Sequence, residues 1–286
     1  MKAPSYCGRH LATCAAVALL PLLPAAVAAQ HPAPPARHPA AAATADTAGA
    51  LPGRPLKTLR EGTRQYLVSV LKPDQPASFN SSAVWIRRVQ LDRARGEVRI
   101  TQTWLGGDTL RNRQVFSICR LADFAPLYHR TQMRKTGIEA FTFTSTAVVG
   151  ADSVAGNGKR GFSQALPGPP LNWELDLETF EQLDYAPGKK FYLRFYHPGS
   201  KTPPKGYLYY VTGEEDLPVA GNQRLRCWQL RVDYDAKNYA VFWIAAKTRE
   251  VLKMEEHYNS YVRYKVKLAT PAVELAPGRQ LFQPAR

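Results

Sequence analysis

Residues 238–258, NYAVFWIAAKTREVLKMEEHY, decide the fold because they join two different strand patterns across one turn. After the turn the residues alternate between two faces, which is typical of a β-strand. Before the turn both faces are apolar, with Tyr239, Val241 and Trp243 on one face and Ala240, Phe242 and Ile244 on the other. The first strand of this hairpin therefore needs a covering layer on each of its faces.

Other segments show the same two-residue period with one apolar face. They include GEVRITQTW (96–104), EAFTFTSTAVV (139–149), KKFYLRFY (189–196) and YVRYKVKL (261–268). In the last segment the alternation predicts a buried face at Val262, Tyr264 and Val266, and a solvent-exposed face at Arg263, Lys265 and Lys267. Short turn sequences separate the segments, which favours antiparallel neighbours. The sequence predicts an all-β, mainly antiparallel fold: a curved meander sheet or incomplete barrel with one packed helix.

The packed helix is predicted over 173–184, within NWELDLETFEQLDYAPG (172–188). Apolar residues recur there at helical spacing, Asn172 can cap the start, and Pro187 and Gly188 stop the helix. A single amphipathic helix in a β protein needs an apolar surface, and strand 239–245 offers one. We expect the helix to lie over that strand as a lid above an apolar space.

The chain is predicted to divide into four parts. Residues 1–29 have the basic start, apolar run and small-residue end of a signal peptide. Residues 30–55 are an Ala/Pro-rich leader predicted to be disordered, residues 56–270 form a single β domain, and 271–286 are a Pro-rich tail. No transmembrane segment is predicted. The expected location is periplasmic, outer-membrane-associated or secreted.

The mature protein is expected to be strongly basic. Loss of Lys2 and Arg9 with the signal reduces the 38 basic residues to 36, against 23 acidic residues, for a net charge of +13. This charge favours an anionic lipid or glycan as a partner, and export argues against nucleic acid. The candidate residues for such a contact are Arg99, Arg231, Arg263, Lys265 and Lys267, with a solvated basic surface as the alternative.

Two cysteines remain after signal removal, Cys119 and Cys227. An isolated pair in an oxidising compartment predicts a disulfide, and the alternative is two separate buried thiols. No catalytic motif is present. Glu255 and His257 share a strand face but lack a third metal ligand, so no metal, cofactor or catalytic residue is predicted.

The C-terminal half resembles a family of exported bacterial β-proteins known as domain of unknown function thirty-one-oh-eight. The residues that carry the resemblance are Val211, Gly213, Glu214, Gly221, Cys227, Trp228, Trp243, Ile244, Val251, Leu252 and Lys253, with FAPLYHR (124–130) upstream. The resemblance implies a fold similar to the half-barrels of lipoprotein carriers, which hold apolar ligands under helical lids. It implies no catalytic residues.

The leading functional hypothesis is a non-catalytic exported protein that binds an apolar or amphipathic envelope molecule in a concave β face. The expected lining residues are Trp173, Phe180, Tyr209, Phe242, Trp243 and Ile244. The alternatives are a basic adaptor that binds anionic glycan or lipid and a hydrolase of envelope polymers.

Overall fold

The computed structural model describes residues 46–48, 58–73, 79–219 and 222–269, without the side chains of 46–48, 79 and 80. The first ten strands are β1 (Asp46–Ala48), β2 (Gly62–Leu71), β3 (Phe79–Asp92), β4 (Glu97–Gly106), β5 (Arg113–Arg120), β6 (Pro126–Met133), β7 (Gly137–Phe143), β8 (Ala147–Gly150), β9 (Ser163–Ala165) and β10 (Leu171–Asn172). The remaining strands are β11 (Lys190–Tyr196), β12 (Lys205–Pro218), β13 (Arg224–Asp233), β14 (Tyr239–Ala245), β15 (Val251–Tyr258) and β16 (Tyr261–Lys267). A 3-10 turn at Trp173–Leu175 leads into α1 (Asp176–Phe180), and another 3-10 turn covers Thr109–Arg111.

The strands form one sheet, which confirms the predicted all-β, mainly antiparallel fold. Its order is β1-β11-β12-β13-β14-β15-β16-β2-β3-β4-β5-β6-β7-β8-β9, and β10 pairs with β11. Two antiparallel meanders meet where β16 pairs with β2, so the end of the domain joins its beginning. The sheet does not close into a barrel.

The sheet curves around one main core on its concave face. Buried residues from β2–β5, from β11–β15 and from α1 all belong to the same hydrophobic cluster, which a flat sheet of this width could not bring together. On β14, Phe242 and Ile244 face this core, whereas Trp243 lies in a small separate cluster on the convex face with Cys227 and Leu252. Both faces of β14 are therefore covered, as its sequence requires.

The helical segment is shorter than the predicted helix 173–184. Only Asp176–Phe180 are α-helical, after the 3-10 turn, and the chain turns away after Phe180. Asn172 does cap the start, since its side-chain oxygen accepts a hydrogen bond from the Glu174 N–H at 3.0 Å. Every residue of α1 is buried, which explains its length: a longer straight helix would have to leave the concave space that this segment fills.

The face assignment of β16 is wrong at Lys265 and Val266, although Val262 is buried as predicted. Lys265 is only 4% exposed and faces the concave side, whereas Val266 is 41% exposed on the convex side. Register confirms this, because Lys265 pairs with core residues Val68 and Met254. The physical reason is that the concave face holds carboxylates of the helical segment, which make it the favourable side for a cation.

Part of the predicted disordered leader is ordered. Asp46–Ala48 form β1, which pairs in parallel with β11 through Phe191, Tyr192 and Leu193. The prediction of disorder is wrong for these three residues. The signal peptide, most of the leader and the tail lie outside the described residues.

The disulfide prediction is also corrected, because Cys119 and Cys227 are both free and buried. Cys119 lies in the main core, and Cys227 lies in the convex-face cluster. Six strands separate β5 from β13 in the sheet order. The two thiols are therefore held in different hydrophobic environments, and burial raises the pKa of each.

Candidate ligand-binding site

The segment Trp173–Glu181, here called the acidic plug, occupies the concave face of the sheet. Four of its carboxylates each pair with a basic residue from a different strand. The pairs are Glu174 with Arg113 of β5, Asp176 with Lys265 of β16, Glu178 with Arg87 of β3, and Glu181 with Arg64 of β2. The plug is therefore anchored to four strands of one stretch of the sheet, β16-β2-β3-β4-β5.

The Arg87–Glu178 pair is the most buried of the four. Arg87 is 1% exposed, and its Nε donates to Glu178 Oε1 at 2.8 Å. Its other nitrogens donate to Gln102 Oε1 and to the Glu174 carbonyl oxygen, both at 2.9 Å. Burial alone would lower the pKa of Arg87, but Glu178 outweighs burial and holds that pKa above its usual value. The guanidinium is thus fully charged and nearly saturated with acceptors.

The apolar side of the plug packs directly on the sheet. Phe180 is fully buried, with its ring centre 4.6 Å from Phe242, 5.1 Å from Tyr209 and 6.2 Å from Phe195. These are ordinary distances for touching aromatic rings. No ligand-sized space separates α1 from β14 at Phe180, so the segment is a plug here and the expected lid over an apolar space is wrong.

The six predicted lining residues therefore do not form one site. Phe180, Tyr209, Phe242 and Ile244 are packed in the main core, and Trp243 points to the convex face, where its indole N–H donates to Glu215 at 2.8 Å. Only Trp173 borders open space. A ligand-binding role for the others stays a prediction.

A pocket of about 210 Å³ opens beside Trp173 on the concave face. It is lined by three tryptophans, four cations, two carboxylates and a histidine. They are Trp85, Arg87, Trp104, Arg113, Trp173, Glu174, Asp176, His197, Arg263 and Lys265. Three residues singled out in the sequence meet here, since Trp173 was expected to line a ligand site and Arg263 and Lys265 to contact anions.

One wall of this pocket is a stack of rings and cations. Trp85 and Trp104 stack with ring centres 3.6 Å apart. The Arg113 guanidinium lies 3.5 Å from the Trp104 ring centre, and Lys265 Nζ lies 4.9 Å from that of Trp85. Cation–π contacts of this kind hold the charged groups in place and keep them at the ring surface. On the other side, Trp173 lies 4.7 Å from the His197 ring.

Two arginines in the pocket have donors to spare. Among the described residues, Arg113 pairs with Glu174 through Nη2 alone, and Arg263 pairs with Glu256 through Nη2 alone. The Nε atoms of both are buried without a partner there, and the Nη1 groups, which are not among the buried atoms, have no partner among the described residues either. A guanidinium carries five N–H donors in a fork that matches carboxylate and phosphate oxygens. The pocket can therefore accept more anionic oxygen than its own side chains supply.

Burial and neighbouring charges shift the pKa of several groups in the pocket. Burial by itself raises the pKa of Asp176, but Lys265 and Arg87 outweigh it and hold the carboxyl below its usual pKa. Burial lowers the pKa of Lys265 and also that of His197, which favours neutral imidazole at the mouth.

The predicted basic contact residues do not share one surface. Arg99 pairs with Asp92 and Glu97, Arg231 pairs with Asp233, and Lys267 pairs with Glu250. Arg263, Lys265 and Lys267 lie on the concave side, and Arg99 and Arg231 lie on the convex side. Since each cation already has an acidic partner, contact with an anionic surface through these five stays a prediction.

A buried polar network borders the plug. His129 Nδ1 contacts Ser117 Oγ at 2.9 Å and accepts from Asn172 Nδ2 at 3.1 Å, and His129 Nε2 contacts Thr131 at 3.0 Å. Burial lowers the pKa of His129 to about 4. Ser117 is fully buried, so this hydroxyl–imidazole contact is closed to a substrate and serves to hold the capping residue Asn172.

A second, larger depression of about 670 Å³ lies toward the other end of β4. Its lining comes mainly from the segments around 91–97 and 120–127 and includes three leucines and three arginines. Its arginines are engaged by local carboxylates, as Arg120 is by Asp123 in the same turn. It lies away from the plug, and none of the predicted site residues lines it.

The family resemblance is confirmed. The family described as "Protein of unknown function (DUF3108)" matches residues 65–267. The chain belongs to this family. No curated protein matches the chain.

Two solved structures of other families align with much of this DUF3108 chain. A β-barrel-like DUF1849 protein from Brucella abortus is 9% identical, with a TM-score of 0.49 over 73% of this chain and 96% of that one. A DUF1329 family protein from Desulfovibrio piger is 8% identical, with a TM-score of 0.30 over 77% of this chain and 89% of that one. Within the described residues, no helix is long and apolar enough to span a membrane.

Sequence reasoning missed most of the pocket. Trp85, Arg87, Trp104 and Arg113 were not singled out, although Arg87 interrupts the apolar face of β3 between Trp85 and Val89. The sequence signal that could have revealed the pocket is an arginine that alternates with buried residues on the same strand face. A buried cation requires a buried partner, so such an arginine points to a polar site inside the fold.

Proposed function

We propose that this DUF3108 protein is an exported, non-catalytic envelope protein that binds the anionic headgroup of an amphipathic molecule or glycan in the pocket beside the plug. The observation that supports the proposal is the convergence of Arg113 and Arg263, each with unused donors, on a tryptophan-walled space. The expected signal peptide supports export. No step of bond making or breaking is part of the proposal.

The size of the pocket favours a headgroup over a whole lipid. At about 210 Å³ it is smaller than the 300–1,000 Å³ typical of pockets for drug-sized ligands. An acyl chain has no place in the adjoining core, because Phe180 already fills the concave face beside Phe242. A single sugar ring or a phosphate-bearing headgroup suits the available space.

The composition of the walls favours a ligand with both an acidic group and an apolar face. Arginine recognises carboxylate and phosphate in a bidentate manner. The Trp173 and Trp104 rings offer flat apolar surfaces, and Glu174 can accept hydrogen bonds from ligand hydroxyl groups. A neutral ligand would leave the spare arginine donors unsatisfied.

Isothermal titration calorimetry with glucuronate, glycerol 3-phosphate and glucose tests the proposal. Glucuronate represents an acidic glycan unit, glycerol 3-phosphate a lipid headgroup, and glucose the neutral control. We expect at least one of the two anions to bind more tightly than glucose. Arg113→Gln or Arg263→Gln removes a charge-assisted hydrogen bond worth about 1.5–3 kcal/mol, which corresponds to roughly 10- to 150-fold weaker binding.

Arg88→Gln is the matched control, since Arg88 is an exposed arginine on the convex side of the same β3 strand. It removes one positive charge without touching the pocket, so it should change the affinity by less than about twofold. Failure of both anions to bind, or equal weakening by the control, contradicts the proposal.

A further inference from the structure

The hairpin formed by β11 and β12 is the most unbalanced basic region of the chain. Residues 185–213 contain Lys189, Lys190, Arg194, Lys201 and Lys205, and no aspartate or glutamate. Several cations elsewhere in the sheet pair with neighbouring carboxylates, as Arg99, Arg231 and Lys253 do. This stretch is therefore a candidate contact surface for something negatively charged.

The alternation of β11 sorts these residues by face. Phe191, Leu193 and Phe195 are buried in the core, so Lys190, Tyr192 and Arg194 lie on the convex face. On β12, Leu208 opposes Tyr192 and Tyr210 opposes Lys190. These five convex-face residues, Lys190, Tyr192, Arg194, Leu208 and Tyr210, are here called the β11–β12 patch.

The centre of the patch is exposed and apolar. Tyr192 is 42% exposed and Leu208 is 43% exposed, although both are large. The Tyr192 ring lies across the backbone at Gly206, where an added Cβ would meet the Tyr192 hydroxyl oxygen at 2.0 Å. Glycine thus lets the tyrosine lie flat on the sheet and present its ring face outward.

The cations on either side of Tyr192 have no acidic partner among the described side chains. Lys190 and Arg194 form no ion pair there, and Arg194 Nε has no hydrogen-bond partner. The convex-face carboxylate on neighbouring β13, Asp233, is already engaged by Arg231 and by the Tyr210 hydroxyl. The patch therefore keeps its positive charge, unlike the five cations expected from the sequence.

We propose that the β11–β12 patch docks the protein on an anionic lipid surface. Tyrosine and lysine or arginine side by side on an exposed face match the membrane–water interface, where tyrosine rings lie at headgroup level and cations meet lipid phosphates. The patch is part of the convex sheet face, and none of its residues lines either of the two pockets described above, so it suits a surface more than a small ligand. This contact is independent of the headgroup pocket, which lies on the concave side.

Flotation of the full chain with vesicles tests the proposal. We expect binding to vesicles of phosphatidylglycerol and phosphatidylcholine mixed 3:7, and none to phosphatidylcholine alone. Each cation near an anionic membrane contributes about fivefold to the affinity. Lys190→Gln with Arg194→Gln should therefore weaken vesicle binding by roughly 25-fold, and raised salt should act in the same direction.

The matched control is Arg88→Gln with Lys135→Gln, which removes two exposed cations elsewhere, one on β3 and one in the turn between β6 and β7. We expect it to weaken vesicle binding by less than about threefold. Tyr192→Ser with Leu208→Ser tests the contribution of the two apolar side chains to membrane binding. This pair should weaken binding at high salt, where the charges are screened.

Three results would overturn the proposal: no binding to anionic vesicles at low salt, equal weakening by the control pair, or equal binding to neutral vesicles. Preference of the patch for a soluble polyanion such as heparin over the vesicles would also reject a lipid surface. The loss caused by Lys190→Gln with Arg194→Gln should be the same in excess glycerol 3-phosphate, which competes for the headgroup pocket and not for the patch, so the two contacts are separated.

Discussion

Substitution of Glu178 by glutamine gives the sharpest test of the acidic plug. The change keeps the shape of the side chain but leaves the Arg87 guanidinium, 1% exposed, with neutral acceptors only: Gln102, the Glu174 carbonyl and the amide oxygen introduced at position 178. Breaking a buried ion pair from one side costs about 3–5 kcal/mol, since the remaining charge is uncompensated. We expect Glu178→Gln to lower the free energy of unfolding by that amount, which corresponds to about 6–20 °C in Tm for a domain of this size.

Urea unfolding followed by tryptophan fluorescence measures the loss. Glu214→Gln is the control, because Glu214 pairs with Arg226 on an exposed strand end and should contribute less than about 1 kcal/mol. Arg87→Met combined with Glu178→Leu removes both charges and should cost less than either single change. A loss below about 1 kcal/mol for Glu178→Gln, or a double mutant whose loss equals the sum of the single losses, would refute the reasoning.

Three further predictions concern stability. The folded pKa of His129 is about 4, below its usual value of 6.5, so its contribution to stability is full above pH 6.5 and is lost as pH falls toward 4. The free energy of unfolding from urea titrations should fall by about 2–3 kcal/mol between pH 7 and pH 4.5, and by less in His129→Asn. Phe180→Ala should cost about 3–5 kcal/mol in chemical unfolding, because its ring packs directly on Phe242, and a loss near zero would mean a space beside it. Thiol titration after unfolding without reductant should find both Cys119 and Cys227 reactive. If neither thiol reacts, the two cysteines form a disulfide and the assignment as free thiols is wrong.

The fold was largely predictable because two-residue alternation marks strands independently of what they pack against. Val98 and Ile100 on β4, and Phe191, Leu193 and Phe195 on β11, are buried as the alternation predicts. Which face of β16 lies toward the core was not predictable in the same way. Its Val/Tyr face and its Arg/Lys face alternate equally well, and the choice depends on Asp176, which lies far away in the sequence and pairs with Lys265.

The site was predictable only in part for a related reason. Trp173 was expected to line a ligand space because it lies in the helical segment beside the sheet, and the structure places it at the pocket. The partners Trp85, Trp104 and Arg113 come from β3, β4 and β5, and only the curvature of the sheet brings them to the plug. No local spacing in the sequence contains that information.

The central claim, an anionic-headgroup pocket beside the plug, is tested most directly by the indole N–H signals of the five tryptophans in a ¹H–¹⁵N spectrum. Trp85, Trp104 and Trp173 line the pocket, whereas Trp228 and Trp243 do not, so the chain carries its own controls. On titration with glucuronate or glycerol 3-phosphate, we predict saturable shifts of the first three signals and none of the last two. Equal shifts of all five signals, or no shift with either anion, would contradict the account.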